Sequence, residues 1–134
     1  AKNGLKQMSD FIVYNNPDSV GELYKKAPLS VYTNKRVSRD VIGSRVWLIA
    51  GDGKPRKFLL RCYFHADDIT SGREHGFATC ISGTAGVVFD PMIEIIQAEW
   101  FLQLKKDQGN FAFGFSPIKT PNAVIEFERL AGIN

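Results

Sequence analysis

The chain has 134 residues, the size of one domain and too short for two ordinary ones. It is 44% hydrophobic and 23% charged with a formal net charge of +3, a globular composition that needs neither disulfides nor a structural metal to form a core. No apolar run reaches the ~18 residues of a membrane-spanning helix, and Lys2, Lys6 and Asp10 interrupt the opening stretch where a secretion signal would need an unbroken apolar run.

Cys62 and Cys80 each sit inside an apolar stretch and read as buried thiols of a reducing compartment, so a cytoplasmic protein is expected. Residues 1–8 are expected to be a leader or an expression remnant, and residues 9–134 a single domain. Phe11-Ile12-Val13-Tyr14 predicts a strand, stopped by Asn15-Asn16-Pro17-Asp18. A short helix should follow, with Val20, Leu23 and Tyr24 on one side, and end at Pro28. Leu29 to Thr33 predicts a second strand, and Asn34 to Asp40 a polar, basic connection.

The strongest local signal is a hairpin. Residues 45–50 and 57–66 read as strands around Gly51-Asp52-Gly53-Lys54-Pro55. Strict alternation puts Phe58, Leu60, Cys62 and Phe64 on one apolar face and Leu59, Arg61, Tyr63 and His65 on the other. Residues 67–76 read as a loop, and 77–82 with 86–89 as another hairpin around Gly83-Thr84-Ala85. Met92 to Ile96 fits either a strand or a first helical turn. Ala98 to Lys106 predicts a helix stopped at Gly109-Asn110. Phe111, Phe113 and Phe115 predict a last strand ending at Pro117, and Asn122 opens a helix burying Val124, Ile125, Phe127 and Leu130. The expected class is α+β: a mixed, mostly antiparallel sheet curled into a partial barrel, with two or three helices against it.

Motifs for enzyme chemistry are sparse. The sequence has no phosphate-binding loop, no dinucleotide fingerprint and no nucleophile elbow, and its two histidines do not pair with the cysteines at metal-ligand spacing. Neither a cofactor nor a metal is expected. His65, Asp67, Asp68, Glu74 and His75 form one polar cluster; a solvated loop rim explains it, and a small hydrolase or nuclease is the sharper alternative.

Charge placement says more than total charge. From Lys35 to Arg61 there are eight basic residues against two acidic ones, a local +6, while the remainder carries −3. Lys35, Arg36, Arg39, Arg45, Arg56, Lys57 and Arg61 are the candidate phosphate contacts. Basic residues also protect hairpin edges from strand-to-strand aggregation, which is the competing explanation. Trp47 lies on this hairpin, and Tyr14, Asn15, Asn16, Ser38 and Trp100 complete the candidates for a base pocket, aromatics to stack and polar groups to read an edge.

The order of elements resembles the PUA-like barrels, the group that includes EVE, YTH and SRA-type domains. The likeness rests on a strand ending in Asn15-Asn16-Pro17, a following helix, the basic stretch 35–40 and the hairpin 44–66 opening Gly-Ser-Arg-Val-Trp-Leu-Ile. A late Trp100-Phe101 helix before a Phe-rich closing strand and helix completes it, and it spans most of residues 9–131. The resemblance implies a DNA- or RNA-binding module that turns a modified base into a pocket between barrel and helices. It also implies an associated or fused nuclease domain in a restriction or defence system. An interaction or immunity-type domain docking an acidic partner protein stays open beside it.

Overall fold

The computed structural model describes residues 9–15, 29–73, 76–111 and 114–133. The helix expected before Pro28, with Asn16, Glu74, His75 and Phe113, lies outside them. Strands β1 (Asp10–Asn15), β3 (Arg45–Asp52), β4 (Lys57–His65), β7 (Ala85–Ile95) and β8 (Ser116–Pro117) form one sheet in the order β7-β4-β3-β1-β8. Strands β2 (Ser30–Thr33), β5 (Asp68–Ser71) and β6 (Thr79–Ser82) form a second, in the order β2-β6-β5. Among the described residues two α-helices, α1 (Glu99–Asp107) and α2 (Pro121–Ala131), complete an α+β fold. No helix among the described residues is long and apolar enough to cross a membrane.

The five-stranded sheet is mixed because β1 runs parallel to β3, pairing Ile12 with Trp47 and Asn15 with Ala50; its other pairings are antiparallel. Both faces are covered, which explains why β3 is buried almost throughout. On one face Val13, Val46, Leu48, Cys62 and Phe64 meet Val31, Tyr32 and Ile81 of the small sheet. On the other, Ile12, Trp47, Ile49, Phe58, Leu60 and Tyr63 pack against Phe101 and Leu104 of α1 and Ala123 and Phe127 of α2.

Strict alternation fails in β4. Phe58 and Leu60 face the helices, whereas Cys62 and Phe64 face the small sheet. The register slips between Leu60 and Cys62, where Arg61 alone stands opposite residues 89–92 of β7. A bulge shifts the side-chain phase by one, so residues the period-2 pattern would place together serve two cores.

Four more expectations are corrected. Residues 68–71 are a strand, not loop, because their backbone completes the small sheet on β6. The segments on either side of Gly83 do not form a hairpin: β6 joins β2 and β5, while β7 crosses to β4. Gly86 sits at that crossing, where an added Cβ would come within 2.2 Å of the Tyr63 carbonyl oxygen. Near the C-terminus, Phe111 belongs to a short 3-10 turn rather than a strand, and only Ser116 and Pro117 pair with β1. Ile125 is 43% exposed, whereas Phe127 is buried as expected, together with Ala123.

Both cysteines are free thiols. Burial pushes Cys62 from an ordinary value of 9.0 up to about 12. The unfolded thiol therefore loses its proton first, and stability falls as pH rises from the unfolded value towards the folded one. Denaturant titrations at alkaline pH should show this loss, at most about 1.4 kcal/mol per pH unit. Cys62→Ala should flatten the slope; Cys80 and Tyr32, also raised by burial, leave a residual one of the same sign. An unchanged slope in Cys62→Ala would show that the thiol is not held neutral by the fold.

Candidate functional site

Because β1 and β3 are parallel, the C-terminal end of β1 lies beside the tip of the β3–β4 hairpin. Alternation along β1 then sends neighbouring residues to opposite faces at that end. Asn15 helps line a cavity of about 260 Å³ on the small-sheet side, with Tyr32, Thr33, Asn34, Lys35 and Phe77. Tyr14, on the helix side, meets the basic hairpin: its hydroxyl accepts a hydrogen bond from Arg56 Nη1. The Arg56 guanidinium carbon stands 5.9 Å from the centre of the Tyr14 ring. Gly51 is what admits this arrangement, since a Cβ there would lie 2.2 Å from the Tyr14 hydroxyl.

The cavity wall is built from ordinary strand pairing. Tyr32 pairs with Cys80 across β2 and β6, and its ring lies 5.6 Å from that of Phe77, just before β6. The rim is held by backbone-directed bonds. Thr33 Oγ1 accepts from the Lys35 amide at 3.1 Å, and Thr79 Oγ1 donates to the Lys35 carbonyl at 3.0 Å. Gly114, at φ +69°, closes the wall opposite; a Cβ on it would stand 3.1 Å from Thr33 Oγ1. Asn15 Nδ2 donates to the Tyr14 carbonyl at 3.0 Å, which fixes the start of that side chain at the cavity edge. Burial holds the Tyr32 phenol above its ordinary value of 10.0. The result is an aromatic, hydrogen-bonding hollow with a cation at its mouth.

The sequence candidates do not all come together. Asn15 and Lys35 line the cavity, while Arg56 and Lys57 are exposed on the adjoining hairpin. Arg36, Ser38 and Arg39 are exposed on the connection after β2, where Ser38 flanks a short 3-10 turn over Arg39–Val41. Arg61 is half-buried at the β4 bulge with Nη1 3.9 Å from Met92 Sδ.

Arg45, Trp47 and Trp100 sit elsewhere. Trp47 is completely buried between Tyr63 and Phe127, at ring distances of 4.9 and 5.3 Å. Its Nε1 donates to Asp10 Oδ1 at 2.8 Å. Arg45 is 9% exposed and donates to Asp10 at 2.6 Å and to Glu128 at 2.8 Å. Both residues therefore tie β1, β3 and α2 together, with no ring face or guanidinium edge left for a nucleotide. Trp100 packs edge-on against Phe127 at 5.6 Å and lines a separate apolar cavity of about 320 Å³ with Ile96, Ala98 and Leu130.

In the polar cluster after β4, Asp67 has a structural role. Asp67 accepts bonds from the Thr84 amide and hydroxyl at 3.0 and 2.9 Å, fixing the turn into β7. Among the described residues no group of three His, Cys, Asp or Glu is placed to hold a metal ion. Phe77 and Asn34 are what a linear reading misses, because they converge with Tyr32 only through the β2–β6 pairing. No family model and no curated protein matches this chain.

Proposed function

We propose that this chain is a nucleic-acid-binding module of the PUA-like kind, its two sheets acting as a partial barrel around a shared core. It takes one unstacked base of DNA or RNA, a modified base among its ligands, into the cavity between Asn15, Tyr32 and Phe77. The observation that carries this reading is the juxtaposition at one end of the sheet. A base-sized aromatic hollow and a basic hairpin are joined there through consecutive residues, Asn15 and Tyr14. The hollow is smaller than the roughly 300–1,000 Å³ of pockets that enclose drug-sized ligands, which suits one heterocycle rather than a whole nucleotide. Asn34 and Asn15 supply both donor and acceptor to a base edge, and Phe77 with Tyr32 supplies stacking area. Lys35, Arg56 and Lys57 serve the phosphates, which fix register without reading sequence.

The roles separate by mutation. Arg56→Ala with Lys57→Ala should weaken all oligonucleotides alike and lower the salt dependence. Phe77→Ala should instead erase preference among bases, at a cost of about 1–3 kcal/mol in binding. Anisotropy titrations of both variants check this, with circular dichroism confirming that each is folded; the same change of preference in both would contradict the division. A second reading, a domain that docks a protein, is favoured by the apolar cavity around Trp100, where Ile96 is 77% exposed.

A further inference from the structure

The aromatic cluster beneath the hairpin carries a second cation that the sequence pattern did not connect to it. Tyr14 stacks on Phe111 at 5.8 Å and meets Phe58 at 5.9 Å. Arg56 stands over the first of these rings, and Lys105 of α1 stands over Phe58, its Nζ 5.2 Å from the ring centre. Two positive heads from elements far apart in sequence are thus seated on adjoining rings. Gln97 Nε2, in the connection before α1, donates to the Arg56 carbonyl at 3.3 Å and holds the hairpin against the helix layer.

Among the described residues, no carboxylate forms an ion pair with Arg56 or Lys105. The acids nearest in chain are engaged or set apart: Asp107 accepts from Thr120 and Gln103, and Asp52 stands opposite Lys57 in the hairpin register. A guanidinium bonded by one Nη1 to a tyrosine hydroxyl keeps its remaining N–H groups for a planar, forked acceptor. An ammonium over a ring is held in place while its hydrogens stay available to an anion.

We propose that Arg56 and Lys105 together form a phosphate-binding clamp on the helix side of the sheet end. It would receive the backbone that flanks the base held on the other side. The inference rests on the nucleic-acid reading above and adds a site to it: the strand would pass from Lys35 at the cavity mouth, over the hairpin tip, to the last turn of α1. A path of that kind fits a single-stranded or locally opened backbone, since two phosphates gripped on opposite faces at one end of the sheet require a strand that turns around it.

The test is the salt dependence of binding to a short oligothymidylate, for the wild-type chain, Lys105→Gln, Lys105→Arg and Arg129→Gln. Each phosphate contact on a single strand contributes ~0.7 to the slope of log affinity against log salt. Lys105→Gln should lower the slope by about that amount, and Lys105→Arg should restore it. Arg129, paired with Glu126 on the far helix, should leave it unchanged. A wild-type slope in Lys105→Gln overturns the clamp while leaving the reader intact. A wild-type chain that binds no oligothymidylate but binds polyglutamate overturns both and assigns the cations to an acidic protein.

Discussion

Trp47→Ala will unfold much of the population at moderate denaturant rather than change any binding preference. The indole is completely buried and packs on Tyr63 and Phe127. Truncating a residue of this size in a closed core costs about 3–5 kcal/mol, the transfer term plus the cavity left behind. The loss is compounded by chemistry, because Asp10 Oδ1 gives up the indole donor at 2.8 Å. Trp47→Phe separates the two contributions: it restores most of the ring and leaves only the missing donor, worth about 1–3 kcal/mol. Urea titrations of the two variants measure the difference. A folded Trp47→Ala chain of native stability that had lost base selectivity would return Trp47 to the binding site and contradict the core assignment.

Arg45→Met should be comparably severe for a different reason. The guanidinium bridges Asp10 and Glu128, so its removal strands two carboxylates whose side chains are 13% and 26% exposed. Breaking a buried pair from one side costs about 3–5 kcal/mol, and partial solvation of Glu128 puts this case at about 2–4. The asymmetry is the diagnostic: Arg45→Met combined with Asp10→Asn and Glu128→Gln should recover part of the loss, since no uncompensated charge remains. Burial alone would lower the Arg45 pKa, but its bonds to Asp10 and Glu128 outweigh that, so the value is raised and the bridge keeps its positive charge at all ordinary pH. If Arg45→Met loses less than about 0.5 kcal/mol, the bridge is a surface pair and not a strut.

These two residues also mark where a linear reading stops. Arg45 and Trp47 belong to a basic, aromatic hairpin in sequence, and the hairpin itself forms as its turn residues dictate. What the pattern does not contain is their partner: Asp10 lies 35 and 37 positions away and Glu128 lies 83 away. A charge is read as a surface feature until something distant neutralises it. The same limit governs β4, where local alternation is unbroken in sequence and the bulge at Arg61 shows only in its pairing with β3 and β7. It governs β5 too, whose polar residues carry no strand signal and are ordered by the edge they complete. By contrast β1, β2 and both described helices are legible, because their stop signals are local.

The candidate site divides in the same way. Asn15 and Lys35 stand at the ends of strands whose limits the sequence marks, and Arg56 and Lys57 follow a recognisable turn. Phe77 and Lys105 reach the site only through pairing and packing across the chain, and no spacing rule would have connected them to it.

On the proposed reading, one end of the sheet reads a base on one face and holds phosphates on the other. The most direct test of that reading is an anisotropy titration of the wild-type chain and Phe77→Ala against single- and double-stranded oligonucleotides, plain and base-modified, at low and moderate salt. A reader of this kind should bind at micromolar affinity or tighter, weaken steeply with salt and prefer one base type, with that preference lost and the salt slope kept in Phe77→Ala. Absence of binding to every oligonucleotide at low salt, or a preference that survives Phe77→Ala, would contradict the reading.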